Sequence, residues 1–348
     1  MELMGATAEE LERLAAELGE PAYRGRQLAE WIYRKDAHSF SVMSNLPAAL
    51  RAKIQDTASL SRGTVLACQP SDDGANKYLL RLSDGQRIES VLLPYPDRTT
   101  VCVSTQVGCP AGCTFCATAA AGLVRSLSAG EIVDQVLSLQ REAGRRVTNV
   151  VYMGMGEPLL NYDAVLRSIR LLNAEVGIAM RRMTISTVGV TPRIRALQSE
   201  NLQLTLAVSL HAPHEALRRR LIPLARRYPL AELISACRDY AEATGRRVTY
   251  EYLLLAGLND TVQHARKLAA LLRGSLASVN LIPYNTVLGK DYKRPSPAAV
   301  KAFRAVIERA GIEVTQRVER GHAVSAACGQ LRADPDPLST LTLNSTSD

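Results

Sequence analysis

Apolar and polar positions along the 348-residue chain change their period twice. Over the first sixty residues the period is helical. Thr7-x-x-Glu10 is a capping box opening a helix that runs to about Leu18, an amphipathic helix is predicted over Arg26–Arg34, and a third over Pro47–Ile54. This segment reads as a small helical bundle with the only tryptophan, Trp31, in its core; a second reading makes its basic outer face, with Arg24, Arg26, Arg34 and Lys35, a grip for RNA. From Thr64 the pattern turns to β runs, Val65–Cys68, Lys77–Leu82 and Arg87–Leu93, the last two joined by the turn Ser83-Asp84-Gly85-Gln86 as a hairpin.

After Pro94 strand and helix alternate. Strands are predicted at Thr100–Gln106, Val147–Met153, Arg182–Thr187, Leu204–Ser209, Thr249–Leu255, Ser278–Ile282 and Ile312–Arg317, and helices at, for example, Ser128–Glu142, behind the capping box Ser128-x-x-Glu131, and Pro297–Ala310. Repeated βα units make this an α/β protein with a parallel sheet, either doubly wound or closed into a full or partial barrel. The expected organisation is a helical segment over 1–60, a β-hairpin extension over 61–94, the βα repeat over 95–332 and a disordered polar tail over 333–348.

Composition adds two constraints. Lys and Arg outnumber Asp and Glu by 42 to 34, a net +8 that points toward a polyanionic partner. No apolar run approaches the roughly 20 residues that span a bilayer, and residues 1–20 lack the basic and apolar regions of a signal peptide, so a cytoplasmic location is expected. Seven cysteines, an odd number, rule out a fully paired disulfide scaffold and leave thiols that are reduced or metal-bound.

Three of them form Cys109-x-x-x-Cys113-x-x-Cys116, in a loop with Pro110 and Gly112 behind a predicted strand. Thiolates so close in sequence can wrap one soft metal centre. Structural zinc wants a fourth ligand, usually from a second cysteine pair, which is missing; three thiolates on a four-iron cube leave one iron open to substrate. The plain alternative is three incidental buried thiols. In a barrel, ligands collect at the carboxyl ends of the strands, and those ends carry Gly154-Met155-Gly156-Glu157-Pro158, Ser186, Ser209-Leu210-His211, Asn285 and Cys328. Each is weak alone. Their common edge suits a cofactor pocket in which Glu157 accepts from an ammonium group.

The cysteine spacing, with Phe115 before the last cysteine, resembles the signature of radical S-adenosylmethionine (SAM) enzymes. The stretches RGRQLAEWIYRKDAHSFSVMSNL from Arg24, RIESVLL from Arg87, CVSTQVGC from Cys102, MGMGEPLLNY from Met153, SLHAP from Ser209, NLIPYN from Asn280 and AACGQL from Ala326 resemble the RlmN/Cfr family of RNA methyltransferases. Glu157-Pro158 is more similar to the branch that methylates adenine C2 than to the C8 branch.

The resemblance implies a partial barrel with a [4Fe-4S] cluster on Cys109, Cys113 and Cys116, and SAM, two molecules per turnover, held by Gly156, Glu157, Ser186, Ser209, Leu210, His211 and Asn285. It also implies that Cys328 carries a methyl group, that Cys102 forms a transient disulfide with it, and that Glu89 accepts a proton; on sequence alone Glu89 reads as a surface strand carboxylate. Cys68 and Cys237 are left as packing residues. Implied partners are 23S rRNA, tRNA as a second RNA, and an external reductant, with the enzyme a monomer and no membrane involved. A C8 methyltransferase and a non-catalytic iron–sulfur RNA-binding protein are the competing readings.

Three places depart from the family pattern. Thr118-Ala119-Ala120-Ala121-Gly122-Leu123 stands where Thr-Gly-x-x-Gly-Phe is usual, Thr286 stands where a proline usually follows Asn285, and Gly321–Ser325 lacks the usual acidic residue. The arginine runs at 145–146, 181–182, 218–220, 226–227 and 246–247 are expected to be in part solvated faces and in part phosphate contacts.

Overall fold

The computed structural model describes residues 1–316, 321 and 324–331; the expected disordered tail lies outside the described residues. The chain opens with α1 (Ala8–Glu17), whose Thr7–Glu10 capping box is formed in both directions, then α2 (Tyr23–Ala29), which continues as a π-helical turn over Glu30–Arg34, and α3 (Ala48–Thr57). Tyr33, not Trp31, fills the core of this bundle. Tyr33 is 1% exposed, and its hydroxyl accepts from Gly5 N–H and donates to Ala6 C=O. Trp31 is only half-buried, because its polar edge reaches out to Asn45 Oδ1 at 2.5 Å and Lys35 lies over its ring at 4.3 Å.

The antiparallel strands β1 (Thr64–Pro70), β2 (Asn76–Arg81) and β3 (Arg87–Pro94) form the expected hairpin with one extra strand outside it. β1 is the edge, and its outer face leaves Cys68 exposed, so this thiol is not a packing residue; Cys237 is. The repeat follows as β4 (Thr99–Cys102), β5 (Gln106–Gly108), β6 (Leu123–Ser126), α4 (Ala129–Ala143), β7 (Asn149–Tyr152), α5 (Tyr162–Ala174), β8 (Met183–Thr187), α6 (Thr191–Gln198) and β9 (Thr205–Ser209). It ends with α7 (Glu215–Leu221), α8 (Leu230–Thr244), β10 (Val248–Leu254), α9 (Val262–Leu272), β11 (Ala277–Pro283), α10 (Pro297–Arg309) and β12 (Glu313–Gln316).

Strands β4, β7, β8, β9, β10, β11 and β12 lie side by side in sequence order, every pair parallel, which is the partial (β/α) barrel; β1 to β3 extend it on the β4 side. Their apolar side chains merge with those of the amino-terminal helices in one core.

The single strand expected over Thr100–Gln106 is broken after Cys102. Ser104 and Gln106 have side chains that bond to the loop after β7: Ser104 Oγ accepts from Met155 N–H at 2.9 Å and Gln106 Oε1 from Glu157 N–H at 2.9 Å. Val103 N–H still donates to Val151 C=O of β7, but the chain then turns to the loop, where Thr105 N–H donates to Met155 C=O, and β5 pairs instead with β6, which sequence periodicity did not predict. The alanines at 119–121 sit in a 3₁₀ turn over Thr118–Ala121 with no left-handed backbone, so loss of a glycine at 119 costs nothing there; Gly122, at φ +68°, keeps the position that requires one. No helix among the described residues is long and apolar enough to cross a membrane.

Candidate active site

The carboxyl ends of the parallel strands open into one cavity. Of the residues singled out in the sequence, Cys102, Cys109, Cys113, Cys116, Gly156, Glu157, Ser186, Ser209, His211, Asn285 and Cys328 all line it. Two do not. Leu210 is wholly buried in the core, with only its backbone near the site, where its N–H donates to Glu251 C=O. Glu89 lies on the same face of β3 as the lining residues Val91 and Leu93, opposite the chain just beyond Cys102, where its own carbonyl accepts from Ser104 Oγ at 2.6 Å. It is not a surface carboxylate. Glu89 is 4% exposed and pairs with Lys77 Nζ at 3.1 Å, because β2 puts Lys77 on the same face diagonally across the hairpin.

The cysteine loop is held from two sides. Cys109 N–H donates to Gly122 C=O at 2.7 Å, an approach so close that a Cβ on Gly108 would meet that oxygen. Beneath, Thr114 N–H donates to Leu221 C=O at the end of α7, and Leu224 N–H to Ala111 C=O. The segment carrying Cys328 is fastened to this loop by Ala117 N–H on Gly329 C=O at 2.8 Å and by Thr118 Oγ1 on Leu331 C=O. Gln330 Nε2 also donates to the carbonyl of Thr286, which a proline there would equally supply. Burial pushes the Cys109 thiol up to about 12 and the Cys113 thiol well above its ordinary value, so thiolates form there only with a cation to compensate them. Among the described residues no three Cys, His, Asp or Glu side chains gather around a single ion. The three thiols stand around the cavity instead, a set that suits one corner each of a multinuclear cluster.

Around them the polar groups are buried and aimed at the cavity. Glu157 is 2% exposed; burial raises its carboxyl to about 7, against the N–H groups of Val188 and Leu159 that hold its two oxygens at 2.8 and 3.0 Å. The Thr187 side chain bonds to it as well, and the acceptor capacity left over on the carboxylate is open to a ligand. Gly156, at φ +105°, lets the loop pass; a Cβ would sit 2.7 Å from Thr105 Oγ1 and from the Gln106 side chain.

His211 is pushed down to about 3 by burial and then by the charge of Arg218. It is therefore a neutral ring whose Nδ1 accepts from Leu253 N–H at 3.0 Å, which leaves Nε2 as its donor. Its left-handed backbone, φ +56°, is pinned by Asn259, wholly buried, which donates to both His211 and Leu253 carbonyls and accepts from Leu255 N–H. Asn285 is buried, and among the described residues its Oδ1 has no partner, which makes it an orphan acceptor at the cavity wall. An unsatisfied amide oxygen, a carboxyl with spare lone pairs and an imidazole N–H match the ammonium, carboxylate and nucleoside edges of a cofactor such as SAM, so the residues present fit the group implied by the sequence.

Sequence reasoning missed Gln106, Asn259, Lys77 and Arg218. Lys77 had a usable signal in its place across the hairpin from Glu89. Asn259 stands in no motif, and Arg218 opens one of the arginine runs expected to be in part solvated and in part on phosphates, although it is 1% exposed.

A family model described as the radical SAM superfamily matches residues 103–269, and one described as the ribosomal RNA large subunit methyltransferase N-terminal domain matches residues 1–60. A protein of Gloeobacter violaceus named probable dual-specificity RNA methyltransferase RlmN is 50% identical over 330 residues, covering 95% of this chain and 94% of its own length. One of the same name from Symbiobacterium thermophilum is 51% identical over 337 residues, with 95% and 91% covered. The crystal structure of a radical SAM methyltransferase from Sphaerobacter thermophilus superposes with a TM-score of 0.92 at 50% identity, covering 96% of this chain and 100% of that one.

Proposed function

Since the chain belongs to the RlmN family of radical SAM RNA methyltransferases, we propose that it methylates C2 of an adenosine in the peptidyl transferase region of 23S rRNA, with the adenosine beside the tRNA anticodon as its second target. The family implies a [4Fe-4S] cluster and SAM. When bound, by Cys109, Cys113 and Cys116 and by the polar wall from Gly156 to Asn285, they supply a methyl group and a radical that abstracts hydrogen.

Adenine C2 has no nucleophilic lone pair, so a methyl group cannot be delivered to it by simple displacement. Cys328, as thiolate, takes the methyl group first. Its S-methyl carbon, after losing a hydrogen atom, adds to C2 and joins protein to RNA. Release requires that C2 lose its proton and that the carbon–sulfur bond break. Glu89, held by Lys77, accepts the proton. Cys102, as thiolate, attacks the sulfur of Cys328: the sulfur–sulfur bond forms as the carbon–sulfur bond breaks, and the freed carbon takes up a proton to complete the methyl group. The unpaired electron left by the radical addition would pass to the oxidised cluster, and an external reductant reopens the disulfide. The target base must leave its stack to enter the cavity.

The observation that carries this reading is that Cys102 and Cys328, 226 residues apart in sequence, line one cavity with the three-cysteine loop. A non-catalytic iron–sulfur protein gives neither thiol a role. The test is incubation of the cluster-loaded enzyme with rRNA and tRNA fragments, SAM and reductant, followed by nucleoside mass spectrometry. The expected product is 2-methyladenosine, lost in Cys328→Ala while iron content is unchanged. 8-Methyladenosine would move the reading to the other branch, and retained methylation in Cys328→Ala would sink the mechanism.

A further inference from the structure

Arg218 takes no part in that chemistry, yet it lies directly beneath the cysteine loop. Helix α7 carries it there: Leu217 and Leu221 on either side share one apolar cluster with Cys109, Cys113 and Phe115, and the helix end accepts from Thr114 N–H at 3.0 Å. Nη2 donates to the carbonyl of Val188, whose N–H is held by Glu157. Nε and Nη1 are buried with no hydrogen-bond partner.

A guanidinium taken out of water is expected to face a carboxylate. Among the described residues Arg218 faces none within ion-pair distance, and Glu215, on the preceding turn, pairs with Arg219 instead. Burial lowers Arg218 to about 10, which still leaves it cationic at neutral pH. Among the described residues no carboxylate pairs with it, and the apolar cluster that packs against its helix holds Cys109 and Cys113 of the cysteine trio.

We propose that Arg218 is a built-in counter-charge for the iron–sulfur cluster, a positioning residue that favours the reduced cluster and so raises its reduction potential. This rests on the reading of Cys109, Cys113 and Cys116 as cluster ligands. A four-iron cluster on three thiolates carries net negative charge, and one electron from an external low-potential reductant adds another without moving a proton. A fixed cation beside it in a low-dielectric interior selectively stabilises the more negative state. The Val188 contact keeps that cation aimed and ties it to the loop gripped by Glu157.

The test is anaerobic reconstitution of the full chain as wild type, Arg218→Lys, Arg218→Gln and Arg218→Met, with iron analysis and a redox titration followed by the electron paramagnetic resonance of the reduced cluster. The expected result is that the Gln and Met variants hold the cluster but show a tenfold lower reduced-to-oxidised ratio at fixed poise, a downward shift of about 59 mV for one electron, while Lys stays near wild type. Loss of the cluster in Gln and Met but not in Lys also supports a need for charge. Equal potentials in all four proteins overturn the proposal, and so does failure of Lys together with the neutral variants, which would mean that guanidinium shape matters rather than charge. Should the wild type itself take up no cluster, the reading of the cysteine trio fails, and that outcome is separate from any difference among variants.

Discussion

Arg62, where the amino-terminal helices meet α4, and Arg218, beneath the cysteine loop, are both guanidiniums taken out of water, and their surroundings differ in kind. Arg62 Nε meets Asp134 Oδ1 at 2.5 Å, its Nη2 meets Asp36, and a third bond goes to Ala37 C=O; Arg141 adds a second cation on Asp36 at 2.5 Å, and Gly63 N–H closes the other oxygen of Asp134. Two carboxylates and two arginines thus form a closed set between the helical segment and the barrel. Among the described residues Arg218 has one carbonyl and two idle donors, and the cavity lined by its partner Val188 holds an orphan amide oxygen on Asn285, a carboxyl raised to about 7 on Glu157 and two thiols that burial keeps protonated. The charge of Arg62 is answered by carboxylates of the chain, whereas the donors of Arg218 and the amide oxygen of Asn285 are left unanswered beside a cavity.

The comparison predicts opposite behaviour on substitution, most strongly at Arg62. Replacing it by Met strands the buried Asp134, while Asp36 keeps Arg141, and removal of one partner from such a set costs about 4 kcal/mol. Urea unfolding should show that loss, with the cluster potential unmoved. A cost below about 1 kcal/mol would mean that the closed set is decorative and would remove the contrast.

Glu157 gives the next largest effect, and it depends on pH. Burial raises its carboxyl from 4.5 to about 7, so between those values the unfolded chain has released a proton that the folded chain retains. Stability contributed by the neutral group is complete below pH 4.5 and is lost as pH rises through about 7, by roughly 3 kcal/mol at the upper end. Glu157→Gln cannot ionise. The difference in unfolding free energy between variant and cofactor-free wild type should therefore shift in favour of the variant from pH 4.5 to pH 8. A flat difference across that range would show that burial does not hold a proton on the site carboxyl.

How much of this was legible in the sequence follows the same division. Periodicity fixed the order of βα units, because each strand buries a nearly continuous apolar run and each helix a stripe; strand-end chemistry followed from the loops where those runs stop. The cysteine loop, Gly156-Glu157, Ser209, His211 and Asn285 were visible as motifs. What stayed hidden were contacts between residues far apart in sequence that use ordinary residue types. The split after Cys102 depends on Ser104 and Gln106 reaching the loop at 154–157, and nothing in an apolar alternation records that. Trp31 was expected in the core on hydrophobicity alone, and its indole N–H, which needs a partner, drew it to the rim. Glu89 reads as an exposed strand carboxylate until the hairpin register brings Lys77 to it.

Asn259 marks a smaller effect inside the site. It is a satisfied group in the unsatisfied region, with three hydrogen bonds that hold the left-handed backbone of His211 against β10. Asn259→Ala leaves Leu255 N–H and two carbonyls without partners in a dry interior, a cost of about 2 kcal/mol. Because His211 is the group released, SAM affinity measured by calorimetry on the loaded protein should fall as well. Stability lost with affinity intact would confine Asn259 to the scaffold side of the comparison.

The smallest effect is expected one residue from Arg218. Arg219 lies on the outer face of α7, about half exposed, in an i,i+4 pair with Glu215. An exposed pair of this kind contributes about 0.5 kcal/mol at most, since water screens both charges and two long side chains must be held in place. Arg219→Ala should leave the urea midpoint and the cluster potential nearly unchanged. With its charge already matched by Glu215, it should also leave the slope of log Kd for RNA against log salt unchanged, where loss of a phosphate contact would lower that slope by about one. A lower slope would transfer Arg219 from the solvated face to the RNA surface. A shifted cluster potential would mean that charge acts on the cluster through α7 as a whole, and the distinction between the buried arginine and its exposed neighbour would not hold.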